Sequence, residues 1–157
     1  MRGKATYTVL EAKKRMEGYC SYQERCHQEV ERKLSEMNLI IQAKELIMLH
    51  LLEHDFLNEE RFSKAFTRGK FRIKKWGKQR IIRELKFRNI SEYNIKSGLQ
   101  EIEKEEYYKT FDKLAQKRFL EIKEPNRYKK RKKLADYILY RGWETDLVYN
   151  KTMELIS

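Results

Sequence analysis

The fold is indicated most clearly by the stretch Ile82-Arg83-Glu84-Leu85-Lys86-Phe87-Arg88-Asn89-Ile90, followed by Ile95. Its pattern recurs on both sides of it. Residues 135–143, followed by Val148, match it 53 positions later, and the run that ends at Leu39 matches it 51 positions earlier. A period of roughly 50 residues that occurs three times in one chain is typical of tandem repeats. The alternative is that short helices that end before an apolar residue recur by chance.

One slot in each repeat holds a residue that tolerates a left-handed backbone. In this register, the three residues at the slot are Asn38, Asn89 and Gly142. Asn and Gly most readily adopt the left-handed conformation that ends many helices. The sequence therefore predicts that a helix ends at this slot in every repeat.

Capping signals mark the predicted helix starts. Ser21 with Glu24 fits a capping box, Asn58 precedes two acids that a helix N-terminus favours, and Ser91 precedes a third start. The single proline, Pro125, is expected to break a long helical stretch. We therefore expect short helices joined by brief connections.

Apolar residues recur at helical spacing between these starts. A first helix is predicted from Asn58 to about Trp76, with an apolar face formed by Phe62, Phe66, Ile73 and Trp76. A second runs from about Lys78 to Arg88 with Ile81, Ile82 and Leu85 facing inward, and a third carries Ile95, Leu99 and Ile102. The predicted fold is all-α, with three tandem three-helix repeats of helix-turn-helix type in an elongated array. The predicted divisions are 1–56 with an N-terminal extension, 57–104 as the central basic repeat, and 105–157.

Composition excludes several other classes. With one Pro and six Gly, a turn-rich β-sandwich or barrel is not expected. No apolar run approaches the roughly 20 residues that cross a bilayer, and no signal peptide is visible at the N-terminus. Two cysteines make no disulfide framework and suit a reducing compartment. We expect a cytoplasmic protein without membrane contact, and a monomer.

The net charge of +12 is concentrated in two segments. Residues 61–88 hold twelve Lys and Arg and one acid, for +11, residues 117–133 have +7, and the remainder of the chain has −6. Such a distribution suits a surface that follows a polyanion, because each neutralised phosphate releases counterions. Arg68, Arg72 and Lys75 are spaced to share one helix face. The alternative is a solubilising surface, which charge runs usually provide.

The predicted nucleic-acid surface consists of cations from these two segments. Phosphate contacts of this kind position a protein without reading bases, so no sequence specificity follows. The predicted residues are Arg68, Lys70, Arg72, Lys74, Lys75, Lys78, Arg80, Arg83, Lys86, Arg88, Lys129, Lys130, Arg131 and Lys132.

Catalytic and metal chemistry is not expected. His50 and His54 are one helical turn apart, but Cys20 and Cys26 have five residues between them, more than zinc sites usually have. Residues 121–123 have the Glu-x-Lys form of metal-dependent nucleases without the strand scaffold and further carboxylates that such sites need. No phosphate-cradling glycine loop and no catalytic triad is apparent. The sequence predicts no catalytic residues, no cofactor and no metal, and hence not an enzyme.

The central segment resembles the RecX family. Its runs are Phe56-Leu57-Asn58-Glu59-Glu60-Arg61-Phe62-Ser63-Lys64-Ala65-Phe66, Trp76-Gly77-Lys78-Gln79-Arg80-Ile81 and Glu84-Leu85-Lys86-Phe87-Arg88-Asn89-Ile90. They are similar to the family's "F-L-(D/N)-(D/E)-E-R-F-A", "(Y/W)-G-x-x-R-I" and "E-L-x-x-(K/R)-G-I". Weaker similarity extends upstream through residues 29–34 and downstream through residues 135–143. Departures include Lys78 where Pro is common and Asn89 where Gly is common.

The resemblance implies three tandem three-helix repeats and a regulatory function. Members of this family bind the RecA recombinase and its DNA filament and usually limit filament growth, strand exchange, ATP hydrolysis and SOS co-protease activity. The implied partners are the recombinase filament and single- and double-stranded DNA through phosphate contacts, with the basic face toward DNA and the acidic remainder toward protein. Gly77 is expected to permit a turn, and the expected core residues are Phe62, Phe66, Ile82, Leu85 and Trp143.

Two other non-enzymatic classes remain open at this point, and an enzyme would need a metal-dependent activity that is lost when Glu121 is changed. A helix-turn-helix transcription regulator would read base edges with one helix of the segment from Asn58 to Ile102. A scaffold that binds only protein would have no salt-dependent affinity for DNA.

Overall fold

The structure is a computed structural model that describes residues 6–157. Within these residues the chain forms nine helices and no strand. The all-α prediction is confirmed. The helices are α1 (Val9–Tyr22), α2 (His27–Ser35), α3 (Ile41–Glu53), α4 (Glu59–Arg72), α5 (Lys78–Phe87), α6 (Glu92–Leu99), α7 (Lys104–Glu121), α8 (Arg127–Tyr140) and α9 (Thr145–Leu155). They form three successive groups of three. The residue divisions at 56 and 104 stay our proposal, and the second falls at the start of α7.

The repeated slot adopts the expected backbone in all three groups. Asn38, Asn89 and Gly142 have φ angles of 51°, 59° and 91°. Each follows the second helix of its group, and after α5 the amide of Ile90 donates to the carbonyl of Leu85 at 3.1 Å. This bond satisfies a carbonyl that the end of a helix would otherwise leave unpaired. The register found in the sequence is therefore the structural register.

Two of the three predicted caps are present. The Asn58 side chain accepts from the amide of Arg61 at 2.9 Å, and the Ser91 side chain accepts from the amide of Asn94 at 3.2 Å. Pro125 lies between α7 and α8, as expected of a residue that cannot continue a helix.

The predicted capping box at Ser21 is wrong. Ser21 lies in the last turn of α1, where its hydroxyl donates to the carbonyl of Glu17 at 2.8 Å. The helix expected to start at Ser21 is α2, which begins only after Cys26, and α1 has a capping box of its own formed by Thr8 with Glu11. A serine can bond back to the preceding turn as easily as cap a new one, so its identity alone does not fix a helix start.

The predicted apolar face of α4 is partly wrong. The helix ends at Arg72, before Trp76, and Ile73 is 78% exposed whereas Phe71 is 2% exposed. The buried face includes the small residues Ser63 and Thr67, which an apolar pattern does not detect. They are buried because α6 approaches closely at Gly98. A Cβ built there would lie 2.8 Å from the carbonyl oxygen of Ser63.

Helices α4–α9 share one core that crosses between the second and third groups. Phe71 of α4 packs 5.8 Å from Tyr107 of α7, measured between ring centroids, and Tyr107 stacks on Trp143 at 4.5 Å. Of the expected core residues, Phe62, Leu85 and Trp143 are buried, while Phe66 and Ile82 are half-buried at its edge. The aromatic contacts make the two groups one hydrophobic unit.

The loops after α4 and α8 are hydrogen-bonded to each other. The amide of Gly77 donates to the carbonyl of Arg141 at 2.8 Å, and the indole of Trp143 donates to the carbonyl of Lys75 at 3.0 Å. Gly77 has a φ of −78°, so it is not required by an unusual turn conformation. A Cβ on it would lie 2.4 Å from the carbonyl oxygen of Gly142. Gly77 therefore permits close approach of two backbones, which corrects the expected role.

Helices α1–α3 enclose a separate core. Its buried members are Ala12, Met16, Cys20, Val30, Leu34, Met37, Ile47, Leu51 and Leu57. Polar contacts join this group to α4: the Arg61 guanidinium lies 2.6 Å from the Glu24 carboxylate and 3.1 Å from that of Asp55. The amide of His27 donates to the side chain of Glu59 at 3.0 Å. The first group is thus joined to the others through charged side chains and through Cys26, which precedes α2 and is buried in the core of α4–α9.

Candidate nucleic-acid interface

Thirteen of the fourteen predicted cations lie on α4, α5, α8 and the loop between α4 and α5, and Arg88 directly follows α5. The cap at Asn58 fixes the start of α4, and Gly77 fixes the start of α5 against the third group. These elements therefore present their cations from a rigid scaffold. The structure divides the cations into three sets according to what each side chain contacts.

The first set is paired with carboxylates. Arg68 contacts Glu101, and Arg72 lies 3.7 Å from Glu106. Both carboxylates belong to the segment around the start of α7. The other two pairs are Arg88 with Glu84 and Lys132 with Asp136, each one turn apart on its own helix. Pairs that remain accessible to solvent, as these do, contribute little to stability. Acids therefore lie beside the basic helix α4, rather than on a separate surface as expected.

The second set lies over aromatic rings. Trp76 has the Lys70 ammonium at 4.9 Å and the Arg80 guanidinium at 4.2 Å from its ring centroid, and Arg80 also lies 4.8 Å from the ring of Tyr140. Cation–π contact holds such groups in place without neutralising them. The other members of this set are Lys78 over Tyr107, Lys130 over Phe119 and Arg131 over Tyr128, and Arg88 of the first set also lies over Phe66.

The third set has no carboxylate or aromatic contact among the residues that the structure describes. Its members are Lys74, Lys75, Arg83, Lys86 and Lys129. Lys75 follows the end of α4 with a φ of 59°, and its ammonium donates to the carbonyl of Arg72. It therefore does not continue the helix face of Arg68 and Arg72 that the spacing predicted.

Other cations and aromatics were missed by the sequence reasoning. Arg118 and Arg141 both lie over the ring of Tyr137, at 4.6 Å and 3.7 Å from its centroid. Arg141 falls outside both charge-rich segments, so charge counting could not find it. Tyr140, beside Arg80, is 70% exposed and was not singled out either. The surface thus combines cations with accessible aromatic rings.

The residues weighed for metal or thiol chemistry are separated in space. His50 contacts the Glu17 carboxylate at 2.7 Å and stacks near His54, whereas Cys20 and Cys26 lie in the two different cores. Burial raises the pKa of both thiols to about 11, so they are protonated near neutral pH. Within residues 6–157, no three His, Cys, Asp or Glu side chains are grouped to hold a metal ion.

A buried tyrosine links the two groups that carry the basic surface. The Tyr107 hydroxyl accepts from the amide of Lys78 at 2.9 Å and donates to the carboxylate of Glu144 at 2.8 Å. Burial raises the pKa of this phenol well above its ordinary value, so it remains a donor. It anchors the start of α5, the helix that carries several of the predicted cations.

None of the helices of residues 6–157 has the length and apolar character needed to span a membrane.

Comparison with known families gives two matches. Residues 58–99 match the family model described as RecX, second three-helix domain, and residues 105–150 match the one described as RecX, third three-helix domain. Together these ranges span more than half of the chain.

Two proteins, each named Regulatory protein RecX, are similar in sequence. The one from Lactobacillus gasseri is 32% identical over 89 residues, which cover 57% of this chain and 33% of that protein. The one from Clostridioides difficile (strain 630) is 21% identical over 151 residues, covering 94% of this chain and 69% of that protein. The similarity to the first relative thus spans only a third of its length.

Two solved structures share the fold. "Crystal structure of regulatory protein RecX" superposes with a TM-score of 0.81 at 22% identity, covering 93% of this chain and 73% of that one. "Crystal structure of RecX from Lactobacillus salivarius" gives a TM-score of 0.78 at 20% identity, covering 94% and 96%. The arrangement of three-helix groups is therefore that of these structures.

Proposed function

The chain belongs to the RecX family of regulatory proteins, and we propose that it binds a RecA recombinase filament on DNA and limits filament extension, strand exchange and ATP hydrolysis. The observation that carries the proposal is the joining of two family domains, residues 58–99 and 105–150, into one unit with a basic surface. By limiting the filament, the protein would regulate recombination and the SOS response. A protein acting on such a filament would work in the cytoplasm.

The surface chemistry supports contact with DNA phosphates. Exposed cations without a carboxylate partner, such as Arg83 and Lys86, would gain from phosphate contact through counterion release. The carboxylate pairs of Arg68 and Arg72 are exposed enough to exchange for phosphate. The exposed ring of Tyr140 beside Arg80 offers a stacking surface for an unpaired base. Both single- and double-stranded DNA fit these contacts.

A helix-turn-helix regulator that reads base edges is a weaker alternative. In that arrangement the last helix of the group, α6, would enter the major groove. The exposed side chains of α6 include Glu92, Tyr93 and Lys96, with one cation among them, whereas the cations lie on α4 and α5. A helix with this surface is poorly suited to a phosphate-lined groove.

The proposed regulation requires no catalytic step by this chain and no cofactor. Occupying sites along a filament is enough to block the addition of recombinase subunits, and ATP hydrolysis falls because fewer subunits are assembled on DNA. A monomer satisfies this scheme. Binding to the protein of a filament raises the effective concentration of the chain at its DNA. Neither contact therefore needs a high affinity alone.

The decisive experiment is a titration of DNA-stimulated ATP hydrolysis by the cognate recombinase. We expect suppression at substoichiometric amounts of the protein, with shorter filaments by electron microscopy. The variant R83Q/K86Q removes two exposed cations of α5 and should need a higher concentration for the same suppression. K109Q/K113Q removes two exposed cations of α7, outside the predicted surface, and should behave as wild type.

Two results would contradict the proposal. Unchanged ATP hydrolysis and filament length at saturating protein would exclude limitation of the filament. Binding to one DNA sequence that survives an excess of random DNA would instead support the transcription regulator.

A further inference from the structure

A cleft of about 350 Å³ lies where the second and third groups meet. The loop after α4 lines one side, and α7 and α8 line the other. Five cations face it together with a single acid, and these residues are Lys74, Lys75, Lys117, Arg118, Arg141 and Glu121. The two charge-rich segments of the sequence, together with Arg141, therefore converge on one concave surface.

The two arginines of the cleft are held in place before any ligand arrives. Tyr137 lies under both guanidinium groups, and Arg141 also donates to the Tyr137 carbonyl at 3.3 Å. A planar guanidinium fixed on a ring loses less freedom when it binds a phosphate oxygen. These arginines are thus arranged for binding an oxyanion.

Backbone contacts fix the spacing between the two sides of the cleft. Lys75 is tied to the third group by the hydrogen bond from Trp143, and Gly77 by its bond to Arg141. The backbone that carries Lys74 and Lys75 is therefore held close to α7 and α8. A rigid cluster of like charges is unfavourable unless an anion shares it.

The charge of this cluster is only partly compensated within the chain. Glu121 lies 3.3 Å from one Arg118 nitrogen, whereas the Nε atom of Arg118 is buried and has no hydrogen-bond partner in the described residues. Lys74 and Lys117 are exposed and make no ion pair within residues 6–157. A buried donor left unpaired is unfavourable, so the charge of Arg118 is only partly compensated within the described residues.

We propose that this cleft is a binding site for backbone phosphates of nucleic acid, an inference that rests on the proposed function and adds Lys117, Arg118 and Arg141 to its contact surface. Lysine and arginine side chains carry donors and no acceptor, which matches the phosphate oxygens that every nucleotide offers alike. Binding here is therefore independent of sequence. It also requires the second and third groups together.

A polymer suits the cleft better than a small polyphosphate. Lys74 lines both this cleft and a second one of about 390 Å³ along α4, where Lys70 and Arg88 are found at one part of the lining and the acids Glu24 and Glu29 at another. The two clefts thus share Ile73 and Lys74, and a chain of phosphates can pass from one to the other along the cations. A small polyphosphate would occupy only one of them.

The test compares two variants that each remove two exposed positive charges. K74Q/K117Q acts within the cleft, and K109Q/K113Q acts on α7 outside it. Binding to a labelled oligothymidylate is measured by fluorescence anisotropy at several salt concentrations. We expect the slope of log affinity against log salt to fall by about 0.7 to 1.4 in K74Q/K117Q, since each single-strand phosphate contact contributes roughly 0.7. The control should keep the wild-type slope.

The possible outcomes separate this inference from the proposed function. Equal slopes for the two variants would overturn the cleft assignment while leaving filament regulation in place. A reduced slope in K74Q/K117Q alone, with no effect of wild type on recombinase ATP hydrolysis, would keep the cleft and remove the proposed function. Saturable binding of inorganic pyrophosphate by calorimetry, lost in K74Q/K117Q while its DNA slope stays unchanged, would overturn the nucleic-acid assignment.

Discussion

Helices α1–α3 pack around aliphatic and methionine side chains of their own, whereas α4–α9 share an aromatic core across two groups. Charge follows the same division. Residues 1–56 contain nine acids and nine bases, so residues 57–157 carry the whole net charge of +12. The same repeat period thus produces one neutral unit with its own core and one basic unit with a shared core.

The difference between the two regions indicates that a shared core fixes the positions of neighbouring repeats relative to each other. Cations on separate groups can act on one polyanion only if their spacing is fixed. The stacking of Tyr107 on Trp143 and the hydrogen bond from Trp143 to Lys75 provide that fixed spacing. The first group carries no net charge that would have to be held at a fixed spacing. Its contact with α4 includes ion pairs such as Arg61 with Glu24.

The largest expected effect is from Trp143→Ala. Removing a buried aromatic of this size costs about 3–5 kcal/mol of unfolding free energy, and Trp143 packs against both α4 and α7. Hydrogen exchange should therefore increase in α4–α6 and α7–α9 together, while α1–α3 keep their protection. Mass spectrometry of exchange, region by region, checks this.

Met16→Ala is the matched variant in the first core, where Met16 is fully buried. Its cost of about 2–5 kcal/mol should increase exchange mainly in α1–α3. Faster exchange confined to α7–α9 in W143A would contradict a core shared by two groups.

A smaller effect is expected from Gly77→Ala. Ala tolerates the backbone angles of Gly77, but its Cβ would meet the carbonyl of Gly142 at 2.4 Å. Forcing the two loops apart should cost about 1–3 kcal/mol, measured by urea unfolding. Gly18→Ala on α1, where a Cβ meets nothing within 4 Å, should instead stabilise by about 0.5–1 kcal/mol. Equal effects of the two substitutions would show that the loops do not depend on close approach.

Local features of the fold could be predicted from the sequence. The left-handed slots at Asn38, Asn89 and Gly142 were found because few residues adopt that conformation. The burial of Ser63 on α4 could not be predicted, because it depends on how closely α6 approaches. The contact of Gly77 with the third group likewise has no signal in neighbouring residues.

The candidate interface was predictable in composition but not in arrangement. Counting charges identified the basic segments, and the chain does place cations such as Arg83 at its surface. It could not show that Arg68 has a carboxylate partner, or that Arg141 and Lys117 face the same cleft as Lys74. Those relations arise from packing between groups far apart in sequence.

A smaller loss of stability than in G77A is expected from Arg61→Gln, which tests how the two regions are joined. Arg61 contacts Glu24 and Asp55 with both ends of its guanidinium, but all three side chains are partly exposed, so we expect a loss of about 1 kcal/mol. Lys64→Gln, which removes an exposed pair with Glu60 within α4, should cost less than about 0.5 kcal/mol.

The positions of the tryptophans allow this loss to be assigned to one region. Trp76 and Trp143 both belong to the part formed by α4–α9, so tryptophan fluorescence reports on that part, whereas circular dichroism reports on all helices. In R61Q, urea should unfold α1–α3 at a lower concentration by circular dichroism, and the fluorescence midpoint should stay near that of wild type. If both midpoints fall by the same amount, the two regions unfold as one unit, and the contrast between a separate and a shared core has no energetic consequence.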